Sequence, residues 1–469
     1  MMELDKRIHH PHDRVMTSRN AKPEASRLTA LAAFEAVMTA GRTLDDWLEQ
    51  SQEYHDLEPR DRRFCRRLVT TALRHHGEAM LALRHYVPRP PKGRQQIASL
   101  ILQLGLTELI WLDAPSHAVV DQAVRLIRAR DQKHLHGLIN ASLRRCADDI
   151  KKGKSLKTSH KAGAAANCPE WLKTLLVGDW GAEQADQMMT MLMLPPPLDL
   201  SVIGDQKTWA SRLGGVALPQ GSIRLTDGAP QTLDGYDEGQ WWVQDAAATM
   251  PARLMGDVKG KHIIDACAAP GGKTAQLIAG GAKVTALDLS EKRLERLQGN
   301  LARLGMSSDI VAADVLDWSP PAPVDGVLID APCSATGTIR RRPDILTHKK
   351  SPHIRALSEL QLKMIRHAAH WLKPGGVLVF ATCSLLRAEG EDLIKVVRAD
   401  SGLVPYPIQE SEHAGFAPFG AEAGQSADQS SQPAHALRLM PNALTMPQED
   451  GMTQGNDGFF MARFKRISN

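Results

Sequence analysis

The 469-residue sequence has no apolar stretch near the length of about 18 residues that a transmembrane helix requires. Its first residues, Met1–Arg7, are followed by no apolar run, so we expect no ordinary secretory signal. None of its six cysteines forms a Cys-x-x-Cys pair, which removes the usual spacing of zinc and redox motifs. We therefore expect a cytoplasmic protein with free thiols and with no membrane or metal partner.

Two common phosphate-binding motifs are also missing. The glycine-rich segment 267–274 has Cys267 where a P-loop needs its first glycine, and it lacks the Gly-x-Gly-x-x-Gly dinucleotide fingerprint. The net charge of +4 permits a polyanionic partner without establishing one. The length and the 43% hydrophobic content suffice for two or three domains, each with its own core.

The spacing of apolar residues changes along the chain and predicts a multidomain protein. Helical spacing predicts an all-α domain over residues 20–150, and a small connecting α+β region is expected over residues 165–238. From 239 to 466, short apolar runs alternate with amphipathic helical segments, which predicts an α/β domain with a mostly parallel sheet. Five such runs and two later strands, 437–440 and 458–464, give seven strands.

The five apolar runs lead into polar or nucleophilic residues. These residues are Asp265, Asp288, Asp314, Asp330 with Cys333, and Cys383. A single Asp after a strand often caps the next helix, but five such ends in succession favour a ligand site at the carboxyl edge of the sheet. Asp288 can accept hydrogen bonds from ribose hydroxyls, so the expected ligand contains a nucleoside.

Two cysteines follow the fourth and fifth runs. Either Cys333 or Cys383 alone could be a small buried apolar residue. Both thiols beside the carboxylate of Asp330 predict a nucleophile, although spacing alone leaves open which cysteine attacks.

Two arginine-rich segments are candidates for phosphate contact, because guanidinium groups match phosphate geometry. A solvated protein surface would have the same composition. The candidate residues are Arg340, Arg341, Arg342 and Lys349 in the loop between the cysteines, and Arg62 and Arg63 in the helical region.

These motifs resemble those of the Sun/RsmB (Fmu) family of RNA 5-methylcytosine methyltransferases. The matching segments are DACAAPGGKT at 265–274, DAPCSATG at 330–337, ATCS at 381–384 with EGE at 389–391, DGFF at 457–460, and QD at 244–245. The helical region resembles a NusB-type RNA-binding domain in DRRF at 61–64 and ASLRR at 141–145. The resemblance implies a Rossmann-like catalytic domain that binds S-adenosylmethionine.

The resemblance also implies a role for individual residues. Cys383 would attack C6 of cytosine, Cys333 would assist product release, and Asp330 would lie near the target base. Asp288 would hold the ribose of the cofactor, and Asp314 would lie near its adenine. The segment that would surround the cofactor comprises Cys267, Ala268, Ala269, Pro270, Gly271, Gly272 and Lys273.

The NusB-like domain favours 16S ribosomal RNA of the small subunit as the substrate of a monomeric enzyme. Three alternatives stay open. The same chemistry could act on transfer RNA, the chain could be a non-catalytic RNA-binding assembly factor, or it could methylate an exocyclic amine or a protein. The paired cysteines count against the last two, because neither needs a covalent nucleophile.

Overall fold

The computed structural model describes residues 23–157, 160–226, 228–397, 402–417, 435–444 and 454–467. Residues 20–22 of the predicted helical domain lie outside the described residues. The described residues form two compact units. The first draws on the described parts of Met1–Ala36, Leu48–Ala72 and Ala79–Leu156, and the second on those of Val37–Trp47, Leu73–Glu78 and Lys157–Asn469. No helix in the described ranges is both long and apolar enough to span a bilayer.

The N-terminal region is helical, as predicted. Its helices are α1 (Ala25–Ala40), α2 (Leu44–Gln50), α3 (Gln52–His55), α4 (Pro59–Arg74), α5 (His76–Tyr86), α6 (Gln96–Trp111), α7 (Ser116–Ala129) and α8 (His136–Lys151). Helix α6 is buried at every residue from Ile97 to Ile110, which explains why its sequence is apolar on all sides. Gly105 permits close packing against α8, because a Cβ there would lie 2.8 Å from a methyl carbon of Leu143.

Within the described residues, the connecting region contains four α-helices and a small antiparallel sheet with the strand order β2-β3-β1-β4. Its elements are α9 (His160–Asn167), α10 (Glu170–Trp180), α11 (Ala182–Leu192), β1 (Leu198–Val202), α12 (Gln206–Leu213), β2 (Val216–Ala217), β3 (Ser222–Leu225) and β4 (Trp241–Val243). A fully buried ion pair joins Arg224 to Asp199 inside it, with Nε 2.6 Å from Oδ1. Strand β4 lies beyond residue 238, where the connecting region was expected to end.

The second half of the chain forms one large sheet with the order β10-β12-β9-β8-β5-β6-β7, and β11 pairs with β12. Its strands are β5 (His262–Ala266), β6 (Lys283–Asp288), β7 (Asp309–Ala312), β8 (Val324–Asp330), β9 (Leu372–Thr382), β10 (Leu403–Pro405), β11 (Ala436–Leu439) and β12 (Phe459–Arg466). Strands β5 to β9 are mutually parallel, whereas β10, β11 and β12 pair antiparallel. The predicted fold class is confirmed.

Helices cover both faces of this sheet. They are α13 (Met250–Arg253), α14 (Gly272–Ala279), α15 (Glu291–Arg303), α17 (Pro352–Ala369) and α18 (Glu391–Val397). The short helix α16 (Ile345–His348) instead packs with α10 and α11. Val327 and Ile329 of β8 share a buried cluster with Ile365 of α17, and Leu328 shares the opposite cluster with Leu277 of α14. Because successive side chains alternate between two buried faces, the parallel strands are continuously apolar in sequence.

Candidate active site

The carboxyl ends of four parallel strands lie along one edge of the large sheet. The order β6-β5-β8-β9 makes these strands neighbours. Asp288 ends β6 and Asp330 ends β8, while Cys383 directly follows the last residue of β9. The β8–β9 register pairs Asp330 with Ala381, so the segments that carry the two cysteines begin side by side. The structure thus brings these predicted site residues to one edge of the sheet.

The two thiols of these segments are in contact. The Sγ atoms of Cys333 and Cys383 are 3.5 Å apart, which is within range of an S–H···S hydrogen bond. Both residues are partly exposed, unlike the buried Cys65, Cys146 and Cys168. The hydrogen bond with Cys383, and then burial, raise the pKa of Cys333 well above its ordinary value. Cys333 therefore stays protonated near neutral pH.

A lysine from the glycine-rich segment holds the carboxylate of Asp330. Lys273 Nζ lies 2.7 Å from Asp330 Oδ2, and the two side chains are 11% and 33% exposed. Burial lowers the pKa of Lys273, but its interactions with Asp330, and to a smaller extent with Asp265 and Cys383, raise the pKa above its ordinary value. Lys273 is thus a charged ammonium group that forms an ion pair with Asp330 and interacts electrostatically with Cys383. The sequence indicated only a place in the cofactor segment for it.

The segment between β5 and α14 is shaped by two left-handed residues, Cys267 with a φ of 64° and Gly271 with a φ of 101°. A Cβ at Gly271 would also lie 3.0 Å from Leu297 Cγ, so both backbone and packing favour glycine there. A Cβ at Gly272 would make ordinary van der Waals contact with Gln244 at 3.6 Å, and this glycine is itself partly exposed. The segment therefore lets a ligand approach the start of α14 closely.

Asp265 lies beneath this segment and is fully buried. Its Oδ2 accepts a hydrogen bond of 2.6 Å from the hydroxyl of Thr274, while Oδ1 has no hydrogen-bond partner within the described part of the chain. Burial raises the pKa of Asp265 to about 7. One oxygen of Asp265 therefore anchors the start of α14 through Thr274, while the other oxygen accepts no hydrogen bond from the described residues.

Asp288 is 2% exposed and is already engaged by its own segment. Its carboxylate accepts hydrogen bonds from the backbone N–H groups of Ala269 at 3.2 Å and Ser290 at 3.1 Å, and from Arg293 at 3.3 Å. A ribose would have to share this carboxylate with these three donors. Asp314 is partly buried and accepts a hydrogen bond of 2.9 Å from the N–H of Leu316. Next to Asp288, the side chain of Leu289 is 71% exposed, although sequence analysis assigned it no role.

Two of the predicted phosphate contacts do not fit the structure. Arg340 is completely buried and donates to the carbonyl groups of Pro195 at 2.6 Å and Gln454 at 2.8 Å. Arg341 is 26% exposed and forms ion pairs of 2.7 Å with Asp245 and 2.8 Å with Asp457. Both guanidinium groups therefore stabilise the protein interior, and the interpretation of these two as RNA contacts is wrong for this structure.

The other predicted phosphate contacts keep access to solvent. The side chain of Arg342 is 58% exposed, and its Nε lies 3.5 Å from Asp45. Lys349 is partly buried. On α4 in the helical region, Arg63 is exposed and Arg62 partly exposed. These four cations remain candidates for contact with an RNA backbone.

Arg438 is a buried residue that sequence analysis missed. It forms a bidentate ion pair with Glu391, at 3.0 Å and 2.7 Å, and donates to the carbonyl oxygen of Ser384, next to Cys383. Its guanidinium lies 5.4 Å from the ring centroid of Trp180 and 4.9 Å from that of Phe460. No local sequence signal marks this arginine, because its partners come from distant parts of the chain.

Glu389 had appeared only as part of a motif. The structure places its carboxylate, fully buried, behind the two cysteine segments. Among the residues that the structure describes, no group of three or more His, Cys, Asp or Glu side chains could hold a metal ion.

Comparison with known proteins identifies related sequences for both regions. A family model described as 16S rRNA methyltransferase RsmB/F matches residues 252–465, and the NusB family model matches residues 24–148. A ribosomal RNA small subunit methyltransferase B from Xanthomonas campestris pv. campestris is 32% identical over 430 residues, which cover 86% of this chain and 92% of the relative. The protein of that name from Vibrio cholerae is 33% identical over 385 residues, covering 79% and 88%. The crystal structure of PH0851 matches the fold with a TM-score of 0.69 at 19% identity, covering 95% of this chain and 100% of that one.

Proposed function

Because the chain belongs to the RsmB/F family of S-adenosylmethionine-dependent RNA cytosine-5 methyltransferases and carries a NusB domain, we propose that its substrate is 16S ribosomal RNA. It would methylate C5 of one cytosine through a covalent adduct between Cys383 and C6 of the base. The family membership confirms the resemblance seen in the sequence motifs and the expected cofactor. The names of the relatives and the NusB domain support ribosomal RNA over transfer RNA, and we expect a cytoplasmic monomer.

One observation carries the covalent mechanism. Two partly exposed thiols, Cys333 and Cys383, lie 3.5 Å apart at the ends of neighbouring strands, beside the ion pair of Asp330 and Lys273. A non-catalytic RNA-binding factor has no need of a nucleophile, and methylation of an exocyclic amine needs none either. The paired thiols therefore favour covalent chemistry on a pyrimidine ring.

The cofactor segment fits S-adenosylmethionine in two respects. Gly272 is partly exposed at the start of α14 and has no side chain to cover its backbone, and the exposed Leu289 offers an apolar surface to a nucleobase. Cys267 to Lys273 would surround the cofactor, with Asp288 and Asp314 at its nucleoside. When bound, the cofactor supplies an electrophilic methyl group.

The residues of the chain prepare the base for this methyl group. The Cys383 thiolate adds to C6 of cytosine. A proton that passes from Lys273 through Asp330 to N3 neutralises the negative charge that this addition creates. The addition makes C5 nucleophilic. Once C5 carries the methyl group, it loses its proton to solvent and the S–C6 bond breaks, while the N3 proton returns to the Asp330–Lys273 pair. Cys333, which stays a thiol, can donate a hydrogen bond to the departing sulfur of Cys383. The target base must leave its stack to reach these groups.

The substrate is tested with radiolabelled S-adenosylmethionine and undermethylated ribosomal or transfer RNA in parallel, followed by nucleoside analysis. Label in 5-methylcytosine from ribosomal RNA alone is expected. Label from transfer RNA alone would overturn the proposed substrate and leave the chemistry intact. No label from either RNA, with cofactor still bound, would favour a non-catalytic assembly factor.

The mechanism is tested with two cysteine variants. Cys383→Ala is expected to abolish methyl transfer while cofactor binding survives, and Cys333→Ala is expected to accumulate a covalent enzyme–RNA complex visible on denaturing gels. Cys146→Ala, which removes a buried thiol from α8, is the matched control and should turn over normally. Turnover by the Cys383 variant would exclude it as the nucleophile.

A further inference from the structure

A buried carboxylate stands behind the two thiols and takes no part in the mechanism above. Glu389 lies in a short 3-10 turn, Arg387–Glu389, that follows β9, and it is 0% exposed. We propose that Glu389 is a positioning residue that locks together the segments carrying Cys333 and Cys383 and thereby sets the rate of product release. This inference rests on the proposed covalent mechanism.

The carboxylate of Glu389 holds the segment that carries Cys333. Its Oε1 accepts from the backbone N–H of Ser334 at 2.9 Å, and its Oε2 accepts from the Ser334 hydroxyl. Gln361 of α17 donates through Nε2 to the same Oε1 at 3.1 Å and to the carbonyl oxygen of Pro332 at 2.9 Å. The residues on both sides of Cys333 are thus fixed to one carboxylate and one amide.

The same residue also reaches the segment that carries Cys383. The backbone carbonyl of Glu389 accepts from the hydroxyl of Thr382 at 3.1 Å. The hydroxyl of Ser334 lies 3.0 Å from that of Ser384, so the residues that follow the two cysteines are hydrogen-bonded to each other. Glu389 therefore connects to the residue before Cys383 directly, and to the residue after it through Ser334.

The chemistry of this position calls for a carboxylate. Every group that reaches the side chain of Glu389 is a donor, and within the described residues no Lys, Arg or His pairs with it. A buried carboxylate without a cation is costly, and the hydrogen bonds from Ser334 and Gln361 offset that cost. An amide would reverse one of these hydrogen bonds and remove the charge, while it keeps the shape of the side chain.

Product release is the step that this arrangement affects. The S–H of Cys333 must face Cys383 when the S–C6 bond breaks, and that placement depends on Ser334. The charge of Glu389 is also one of the causes that raise the pKa of Cys333, after its hydrogen bond with Cys383 and burial, and it so helps to keep this donor protonated. A Cys333 segment that is loosely held would place its S–H less often toward the departing thiolate. The covalent complex should then persist.

The test compares Glu389→Gln with wild type in the full-length protein, using radiolabelled S-adenosylmethionine and the RNA that wild type methylates. We expect kcat to fall about tenfold, the factor typical of losing one hydrogen bond to a charged group. The steady-state fraction of covalent enzyme–RNA complex should rise, while KM for RNA and the Kd for S-adenosylmethionine change less than about twofold. Glu359→Gln, which removes an exposed carboxylate from α17, is the control and should behave as wild type.

Ser334→Ala gives an independent measurement that keeps the backbone contact and deletes the hydroxyl between Glu389 and Ser384. Accumulated covalent complex in either folded variant supports the inference. Wild-type release in both variants would overturn it while the proposed function stands. A loss of cofactor binding that parallels the loss of kcat would also overturn it, because Glu389 would then be a general structural residue. A wild-type enzyme that forms no 5-methylcytosine would overturn the proposed function as well.

Discussion

Arg341 offers a direct test of whether the arginine loop between the cysteines serves RNA binding or the protein interior. Its guanidinium bridges Asp245 and Asp457, whose side chains are 2% and 4% exposed. Arg341→Met would remove the ion-pair partner of both carboxylates. Removal of one partner from a buried ion pair costs about 3–5 kcal/mol, because the other partner stays desolvated.

The acid–base properties of Asp457 favour the lower end of that range. Burial raises the pKa of Asp457 to about 7 although Arg341 lowers it. Without Arg341, this carboxyl would take up a proton at neutral pH, and only one charge would stay buried. We therefore expect a loss of about 3 kcal/mol in the free energy of unfolding at pH 7. The loss should grow as the pH rises, since the folded protein must then hold a proton that the unfolded chain releases.

The assay is thermal and urea-induced unfolding, combined with RNA binding over a range of salt concentrations. A loss of that size lowers Tm by roughly 6–12 °C in a domain of this size class. Arg342→Met is the matched control, because its exposed ion pair is worth only about 0–1 kcal/mol. That control should instead weaken RNA binding and reduce its salt dependence. If Arg341→Met weakened RNA binding in this way and left Tm within about 2 °C of wild type, the assignment of Arg341 to the interior would be wrong.

Two further variants test the geometry around the cysteines and the cofactor segment. In Gly337→Ala, the new Cβ would lie 2.1 Å from the carbonyl oxygen of Gly458, so the two backbone segments must separate. The rate of methyl transfer should then fall at least about tenfold, while equilibrium dialysis should still show cofactor binding. Asp265 has a pKa of about 7 in the folded protein against an ordinary 3.8, so its contribution to stability is present below that ordinary value and is lost as pH rises through about 7. Asp265→Asn should flatten the dependence of Tm on pH across this interval, and an unchanged dependence would contradict the assignment.

The candidate site at the carboxyl edge of the sheet could be predicted from the sequence because its signals are local. Each parallel strand is a short apolar run, and each run leads into a residue such as Asp288, Asp330 or Cys383. The same segment of sequence therefore indicates both where a strand ends and which polar group lies there. Strand β10, Leu403–Pro405, which was not predicted, has three residues and pairs at the edge of the sheet. So short a segment shows no periodicity, and only its pairing with β12 makes it a strand.

The buried charges could not be predicted, because their partners are distant in sequence. Arg340, Arg341 and Arg342 are consecutive and identical in type, and only the third is well exposed. Their different environments come from carbonyl and carboxylate groups that are 96 or more residues away in the sequence, at Pro195, Asp245 and Asp457. The composition of this loop therefore indicated a basic surface, whereas the guanidinium groups of Arg340 and Arg341 bind groups of the protein and only Arg342 is well exposed.

The choice between the two thiols, which spacing left open, depends on groups from neighbouring strands. The Sγ atoms of Cys333 and Cys383 are 3.5 Å apart. Glu389 is among the groups that raise the pKa of Cys333, and Cys383 is among the groups that raise the pKa of Lys273. These groups come together because β5, β8 and β9 are neighbours in the sheet. A nearby carboxylate opposes negative charge on sulfur, which supports the proposed role of Cys333 as the thiol, whereas the proposed role of Cys383 as the nucleophile rests on the family resemblance and is tested by the two cysteine variants.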